Sequence, residues 1–571
     1  LTDNDRIAGD NAISGIKWVD GTTYSLAFLF ANDRAGNTSK PIKVNKISYD
    51  ATPPLISIDN INNNKHIRYN TLSYTLSESL LNGTITFTQI GGTADPRSPQ
   101  KIELTGTELK MGDFIKKQLA NGPSLVNGAI YDITFTGADP AGNEAIPINI
   151  SNVNFDNEPP VMSISRPIDS EQIKTTIISY MSNEVLESAT VIFEQTSGTI
   201  DITSPHKISL TGRELTDGVH SDFDLGITSQ LADGGRYSVS IEAVDKAGNP
   251  AKITPISDVF FDILPPDLSL STPVSGSHVN IPRVSYSTSE EMGNGKMIFT
   301  RTGGAEDPTS PHEIDLTGNR LKQGDHYEES FNNDVQLKDG SIYTIQFSGE
   351  DLAGNVAINV SVENMTFDTS PPVIVINEPT ANGFYNQVML GYELNEILVS
   401  GKIILERRGG ANDPMSPHEI ALSNDQLLPG KKSDFLINTH TNLISNTTYN
   451  IRIEGQDMAG NMGKSLEIAG VTFDDIPPDI SVTSPAPDSY INETILGLRT
   501  NEVLSEAKIE WIWVDGNPDS AVTHESKMIG DQLQDGDYPE VKFDPPPSLI
   551  SSARYRVVYT GTDRAGNTST Y

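Results

Sequence analysis

The chain has 571 residues, with 40 Lys and Arg against 76 Asp and Glu, a net charge of −36 and no cysteine. A carboxylate excess of this size repels phosphates, so nucleic acid and an anionic membrane surface are excluded as main partners and cations are the natural ligands. Without cysteine there are no disulfides, thiolate metal sites or cysteine nucleophiles, and no apolar run approaches the ~18 residues of a membrane span.

The length suits several domains. The first residues show no basic segment leading into an apolar one, so a soluble piece of a longer protein, with no membrane insertion, is expected. The pentapeptide Asp-x-Ala-Gly-Asn begins at Asp33, Asp139, Asp245, Asp351, Asp457 and Asp563, a constant interval of 106 residues. The chain is therefore about 5.4 periods long, read as part of one repeat, four whole repeats and most of a sixth.

In chain order, a period opens on an aromatic-Asp step, such as Phe155-Asp156 or Phe367-Asp368, and then a Pro-Pro pair starting at Pro53, Pro159, Pro265, Pro371 or Pro477. Over 263–368 the alternation of apolar residues predicts strands near 267–272, 281–288, 295–302, 312–317, 326–332, 342–350 and 356–367, separated by Gly, Pro, Asn and Asp clusters. The second strand ends at a recurring Glu, at 78, 184, 290, 396 and 502. Next comes Asp-x-x-Ser-Pro-His, at Asp201 to His206, Asp307 to His312 and Asp413 to His418, with variants at Asp95 to Gln100 and Asp519 to His524. With one His per repeat, a loop hydrogen-bonding role is expected, and lateral contact is the alternative. A recurring Leu follows, at 109, 215, 321, 427 and 533. The run from Leu337 to Tyr343, matched by Leu125 to Tyr131 and Leu231 to Tyr237, has the form of a tyrosine corner, in which Tyr hydrogen-bonds to backbone a few residues upstream. In the first copy Tyr24 lies nine residues before Asp33 where later copies have eight, so a bulge is expected there.

Seven strands in about 100 residues predict an all-β fold, a tandem array of seven-stranded Greek-key β-sandwiches in a rod. The Pro-Pro-x-hydrophobic openings, the Gly-x-x-Tyr strand and the closing Asp-x-Ala-Gly-Asn turn resemble the tandem bacterial immunoglobulin-like (Ig-like) domains of giant surface adhesins and extracellular filaments. The resemblance runs over essentially the whole chain. It implies a bacterial, extracellular or surface-displayed stalk, often with calcium at the domain junctions. The expected domains are 1–50 (the C-terminal part of one), 51–156, 157–262, 263–368, 369–474 and 475–571 (lacking its last strand).

Topology tests the calcium implication. In a seven-stranded sandwich the loop after the second strand and the turn after the sixth lie at the end where the chain comes in. Alternation of Leu72, Tyr74, Leu76 and Glu78, and of Leu390, Tyr392, Leu394 and Glu396, carries the Glu along the apolar face to that end. The Asp of the pentapeptide and the linker Asp meet it there. Five triads follow: Asp50, Glu78, Asp139; Asp156, Glu184, Asp245; Asp262, Glu290, Asp351; Asp368, Glu396, Asp457; and Asp474, Glu502, Asp563. Carboxylates so gathered repel one another, and Ca2+, which takes six to eight oxygen ligands, would relieve them. The alternative is purely structural: Asp caps its own turn, and the linker Asp precedes a stiff diproline spacer.

Catalysis finds no support in the sequence. No nucleophile with its base stands out, and Gly303-Gly304 and Gly409-Gly410 lack the helix and Lys-Ser/Thr that hold phosphate. Trp18, Trp511 and Trp513 are too few for carbohydrate platforms, and of Trp511 and Trp513 one is expected in the core and one exposed. The leading expectation is a non-enzymatic stalk or spacer for cell-surface adhesion, whose partners are neighbouring repeats and a surface or matrix target. The alternative is a subunit of a self-assembling filament or other homo-oligomer, suggested by five equal intervals although exposed loops normally tolerate insertion. A third reading, adhesive binding by the domains themselves, has no dedicated pocket in the sequence.

Overall fold

The computed structural model describes residues 17–28, 30, 32–251 and 253–571. Residues 1–16, 29 and 31 of the first partial repeat lie outside the described residues. The chain divides into two units, Leu1–Leu264 with Leu352–Asn355, and Pro265–Asp351 with Val356–Tyr571.

In the first unit, residues 157–262 show how a period folds. Eight strands follow in order: Met162–Arg166, Gln172–Ile173, Ile177–Ser182, Leu186–Gly198, His206–Ser209, Gly218–Asp224, Gly235–Asp245 and Ile256–Phe261. The first, third and sixth form a three-stranded antiparallel sheet. The others form a five-stranded sheet in the order second, eighth, seventh, fourth, fifth. Alternation puts Tyr180, Val191, Phe193, Tyr237, Val239, Val259 and Phe261 between the sheets, all fully buried. Residues 51–156 repeat this arrangement around Tyr74, Ile85, Tyr131, Ile133 and Phe135.

In the second unit the strands expected from 263–368 are found at Leu268–Thr272, Arg283–Thr288, Met292–Gly304, His312–Asp315, Gly324–Ser330, Ser341–Asp351 and Val360–Phe367. An eighth, His278–Val279, runs parallel to the last. The fold is thus an array of β-sandwiches, with one refinement. The fifth of the eight strands pairs with the fourth, as His312 does with Phe299, so it extends the larger sheet instead of crossing to the smaller one.

The irregularity expected near Tyr24 is present: Thr22–Phe28 shifts register against Ile42–Tyr49 between Tyr24 and Leu26. One local expectation needs correcting. Trp511 and Trp513 do not point to opposite sides. Two residues apart on Leu504–Gly516 they share a face: Trp511 is buried, and Trp513, at the sandwich rim, is half-buried with Nε1 donating to the Asn517 carbonyl at 3.0 Å.

Candidate metal centre

Each pentapeptide turn is built around its Asp. Asp245 Oδ1 accepts the backbone N–H groups of Ala247 and Asn249, both at 2.8 Å, and Oδ2 accepts from Asn249 Nδ2 at 2.7 Å. Gly248 takes φ +92°, a left-handed value that a side chain resists. Asp139 and Asp457 repeat the pattern with Ala141 and Asn143 and with Ala459 and Asn461. These bonds fill Oδ1, whereas Oδ2, with one donor for two lone pairs, retains acceptor capacity.

The turn also holds the linker. Asn249 Nδ2 donates to the main-chain carbonyl of Asp156 at 3.0 Å, and Asn143, Asn461 and Asn567 do the same to Asp50, Asp368 and Asp474 at 2.9, 2.8 and 2.7 Å. Linker Asp and turn Asp are thereby brought beside the Glu that ends the third strand's run. In the first unit Asp50, Glu78 and Asp139, and likewise Asp156, Glu184 and Asp245, each offer a carboxylate oxygen within 4.8 Å of the others. In the second, Asp368, Glu396 and Asp457, and Asp474, Glu502 and Asp563, do so too. The linker Asp and Glu are partly accessible or buried, and the turn Asp is buried in all four. Asp262 falls in the first unit, buried, while Glu290, half-buried, and Asp351, buried, fall in the second.

The Glu bears the strain of the gathering. Burial, then the charges of Asp156 and Asp245, push the Glu184 carboxyl up to about 7. Burial with Asp474 and Asp563 does the same to Glu502, also to about 7. Glu78 and Glu396 shift upward for the same reasons. Three carboxylates with spare oxygens, and no nitrogen or sulfur donor, form a group that could hold a metal ion.

The Asp-x-x-Ser-Pro-His segments lie elsewhere and do different work. Tyr237 OH accepts the Ala232 N–H at 2.8 Å, the tyrosine corner, and donates to Asp201 Oδ2 at 2.8 Å, where His206 Nε2 also donates at 2.6 Å. Tyr343, Asp307 and His312 repeat this, as do Tyr449, Asp413 and His418. Tyr555, Asp519 and His524 do so as well, and in the one remaining copy Gln100 replaces His as donor to Asp95 at 2.5 Å. Each His is thus a loop hydrogen-bonding residue that locks the fifth strand's approach to the corner.

Residues missed from the sequence sit in the turn before the corner Tyr. Asn127 Oδ1, Asp339 Oδ1 and Ser445 Oγ accept the N–H groups of Asn157, Thr369 and Asp475 at 2.8, 2.5 and 2.9 Å. They lie at multiples of 106 residues, in series with Asp233, whose Oδ1 accepts the Ile263 N–H at 2.8 Å, but the residue type varies among Asn, Asp and Ser.

With sandwich, corner and turn in place, the chain is a tandem array of β-sandwich repeats. Residues 16–162 match the family model of the bacterial Ig-like domain (group 3). Among solved structures, the tetra-tandem repeat in the extending region of a large adhesion protein is 14% identical, with 74% of this chain and 100% of that one covered and a TM-score of 0.25. A bacterial ice-binding adhesin involved in host cell surface retention is 14% identical over 56% of this chain and 99% of its own, with a TM-score of 0.21. Curated proteins give no match. Among the described residues no helix is long and apolar enough to cross a membrane.

Proposed function

We propose that the chain is a non-enzymatic segment of a long extracellular repetitive protein, a stiff stalk or spacer serving cell-surface adhesion, with one domain per 106-residue period and calcium at the junctions. The observation that carries this reading is the recurrence, in each unit, of three carboxylates within 4.8 Å of one another at the linker. Left alone, such a group holds its Glu proton more tightly, so that Glu184 and Glu502 titrate at about 7 and are only partly ionised near neutral pH. A divalent cation restores all three charges, and the turn Asp Oδ2, the Glu and the linker Asp supply oxygen ligands that water and carbonyls can complete to six or more. Because the linker Asp belongs to the connection and the other two to the sandwich that follows, bound calcium ties the connection down. Pro159-Pro160 and its counterparts remove slack from the same segment.

Small-angle scattering of the 571-residue chain tests this. Chelator is expected to increase flexibility and calcium to reverse it. Superimposable profiles with and without calcium would contradict the calcium-stiffened stalk.

A further inference from the structure

One peptide group at each repeat junction is held from both sides. The peptide joining Asp156 to Asn157 has one acceptor and one donor. Its carbonyl accepts from Asn249 in the repeat that follows, at 3.0 Å, and its N–H donates to Asn127 Oδ1 in the repeat that precedes, at 2.8 Å. The peptide joining Asp50 to Ala51 is held likewise by Asn143 at 2.9 Å and Asp20 Oδ1 at 2.6 Å. In the second unit Asn461 and Asp339 hold the peptide after Asp368, at 2.8 and 2.5 Å. Asn567 and Ser445 hold the one after Asp474, at 2.7 and 2.9 Å.

A second contact lies beside this clamp. Within the first unit the Arg68 guanidinium, just past the short strand His66–Ile67, donates to the carbonyl of Gly248 in the next repeat's pentapeptide turn. At the equivalent place in the second unit Asn280 Nδ2 meets Asn461 Oδ1 at 3.1 Å. There too the Asn386 N–H donates to the Ala565 carbonyl at 3.2 Å, and the Arg564 guanidinium lies 5.4 Å from the Phe384 ring centre. The pentapeptide turn thus has an outer surface that receives the preceding repeat as well as an inner one that holds its own linker.

We infer that these contacts form an interface between consecutive repeats that restrains the junction without a cation, the partner of each turn's outer surface being the preceding repeat of the same chain. Rotation about the linker breaks a hydrogen bond to one neighbour or the other, because the single peptide group is committed to both. The residue before the diproline is itself confined to extended conformations, which leaves few torsions to absorb motion. Side-chain type grades the interface: Asp20 and Asp339 accept with a charged oxygen, Asn127 and Ser445 with a neutral one. None of these contacts uses a carboxylate oxygen of the triads, so the inference stands apart from the calcium reading.

The test is a distance measurement made in chelator throughout. The 571-residue chain has no cysteine, so spin labels go cleanly onto Ile115→Cys and Val219→Cys, both well exposed and on successive repeats. Double electron–electron resonance is expected to give a single narrow distribution for the otherwise unaltered chain, wider than in calcium but still that of a restrained junction. Asn127→Ala with Arg68→Ala should broaden it about two-fold, toward the mobility usual for domains sharing a small interface. Asn127→Asp with Arg68→Lys, which keeps an acceptor and a donor, should restore the narrow distribution, with melting temperatures unchanged in all three. A distribution already broad in the unaltered chain, or one whose width ignores the Ala substitutions, overturns the inference.

Discussion

Asn249 and Asp156 are joined side chain to main chain: Nδ2 of Asn249 lies 3.0 Å from the carbonyl oxygen of Asp156 and 2.7 Å from Asp245 Oδ2. One amide group therefore couples the pentapeptide turn to the linker that carries a carboxylate toward it. Asn249→Ala removes both bonds and leaves a carbonyl and a carboxylate oxygen short of a donor. We expect a loss of about 1–2 kcal/mol, confined to that repeat. Hydrogen exchange read by mass spectrometry should speed up in peptides covering 156–162 and 243–251 and stay unchanged in the repeat 369–474.

The tyrosine corner is a second place where one atom serves two partners. Tyr237→Phe deletes the hydroxyl that accepts from Ala232 and donates to Asp201. With Asp201 buried, the cost is expected to be about 2–3 kcal/mol, visible as earlier protease cleavage within 157–262. His206→Gln should be much milder than His206→Ala, because Gln100 already serves as donor to Asp95 in another copy.

Stability in chelator should depend on pH through the Glu residues. Glu184 and Glu502 have carboxyls raised from 4.5 to about 7, so the folded chain holds these protons more tightly than the unfolded one. Their contribution is fully present below about 4.5 and is lost as pH rises through about 7. Calorimetric scans in chelator should show this component of stability falling between about pH 4.5 and about pH 7 and levelling off above. Glu184→Gln with Glu502→Gln should flatten that slope.

Acid acts on a different group and with the opposite sign. Tyr555 and His524 hold the Asp519 carboxyl down to about 2, from an ordinary 3.8. Its contribution is present above 3.8 and disappears as pH falls through about 2. Tyr555→Phe should move the acid unfolding of the repeat that contains it to higher pH, as read by tryptophan fluorescence from the buried Trp511.

Much of this was legible because the period repeats residue types as well as spacing. Strand positions over 263–368 followed from alternation, and the carboxylates could be placed at one end because counting strands fixes which loops share an end. The strand His278–Val279 was not visible: two residues in parallel pairing leave no alternation to read. Nor could spacing say that His312–Asp315 pairs with Met292–Gly304, since a half-buried strand has the same pattern on either sheet. Asn127, Asp339 and Ser445 escaped notice because their shared property is an acceptor oxygen, which three different side chains supply. The double duty of Asn249 was equally hidden, because its second partner is a backbone carbonyl 93 residues away.

Calcium titration of the chelated 571-residue chain by isothermal calorimetry decides whether the carboxylate triads hold the cation. Saturable binding is expected at or below ~1 mM calcium, with fewer sites after Glu184→Gln and Glu502→Gln. Absence of saturable heat in that range, or the same number of sites in the double variant, would contradict it.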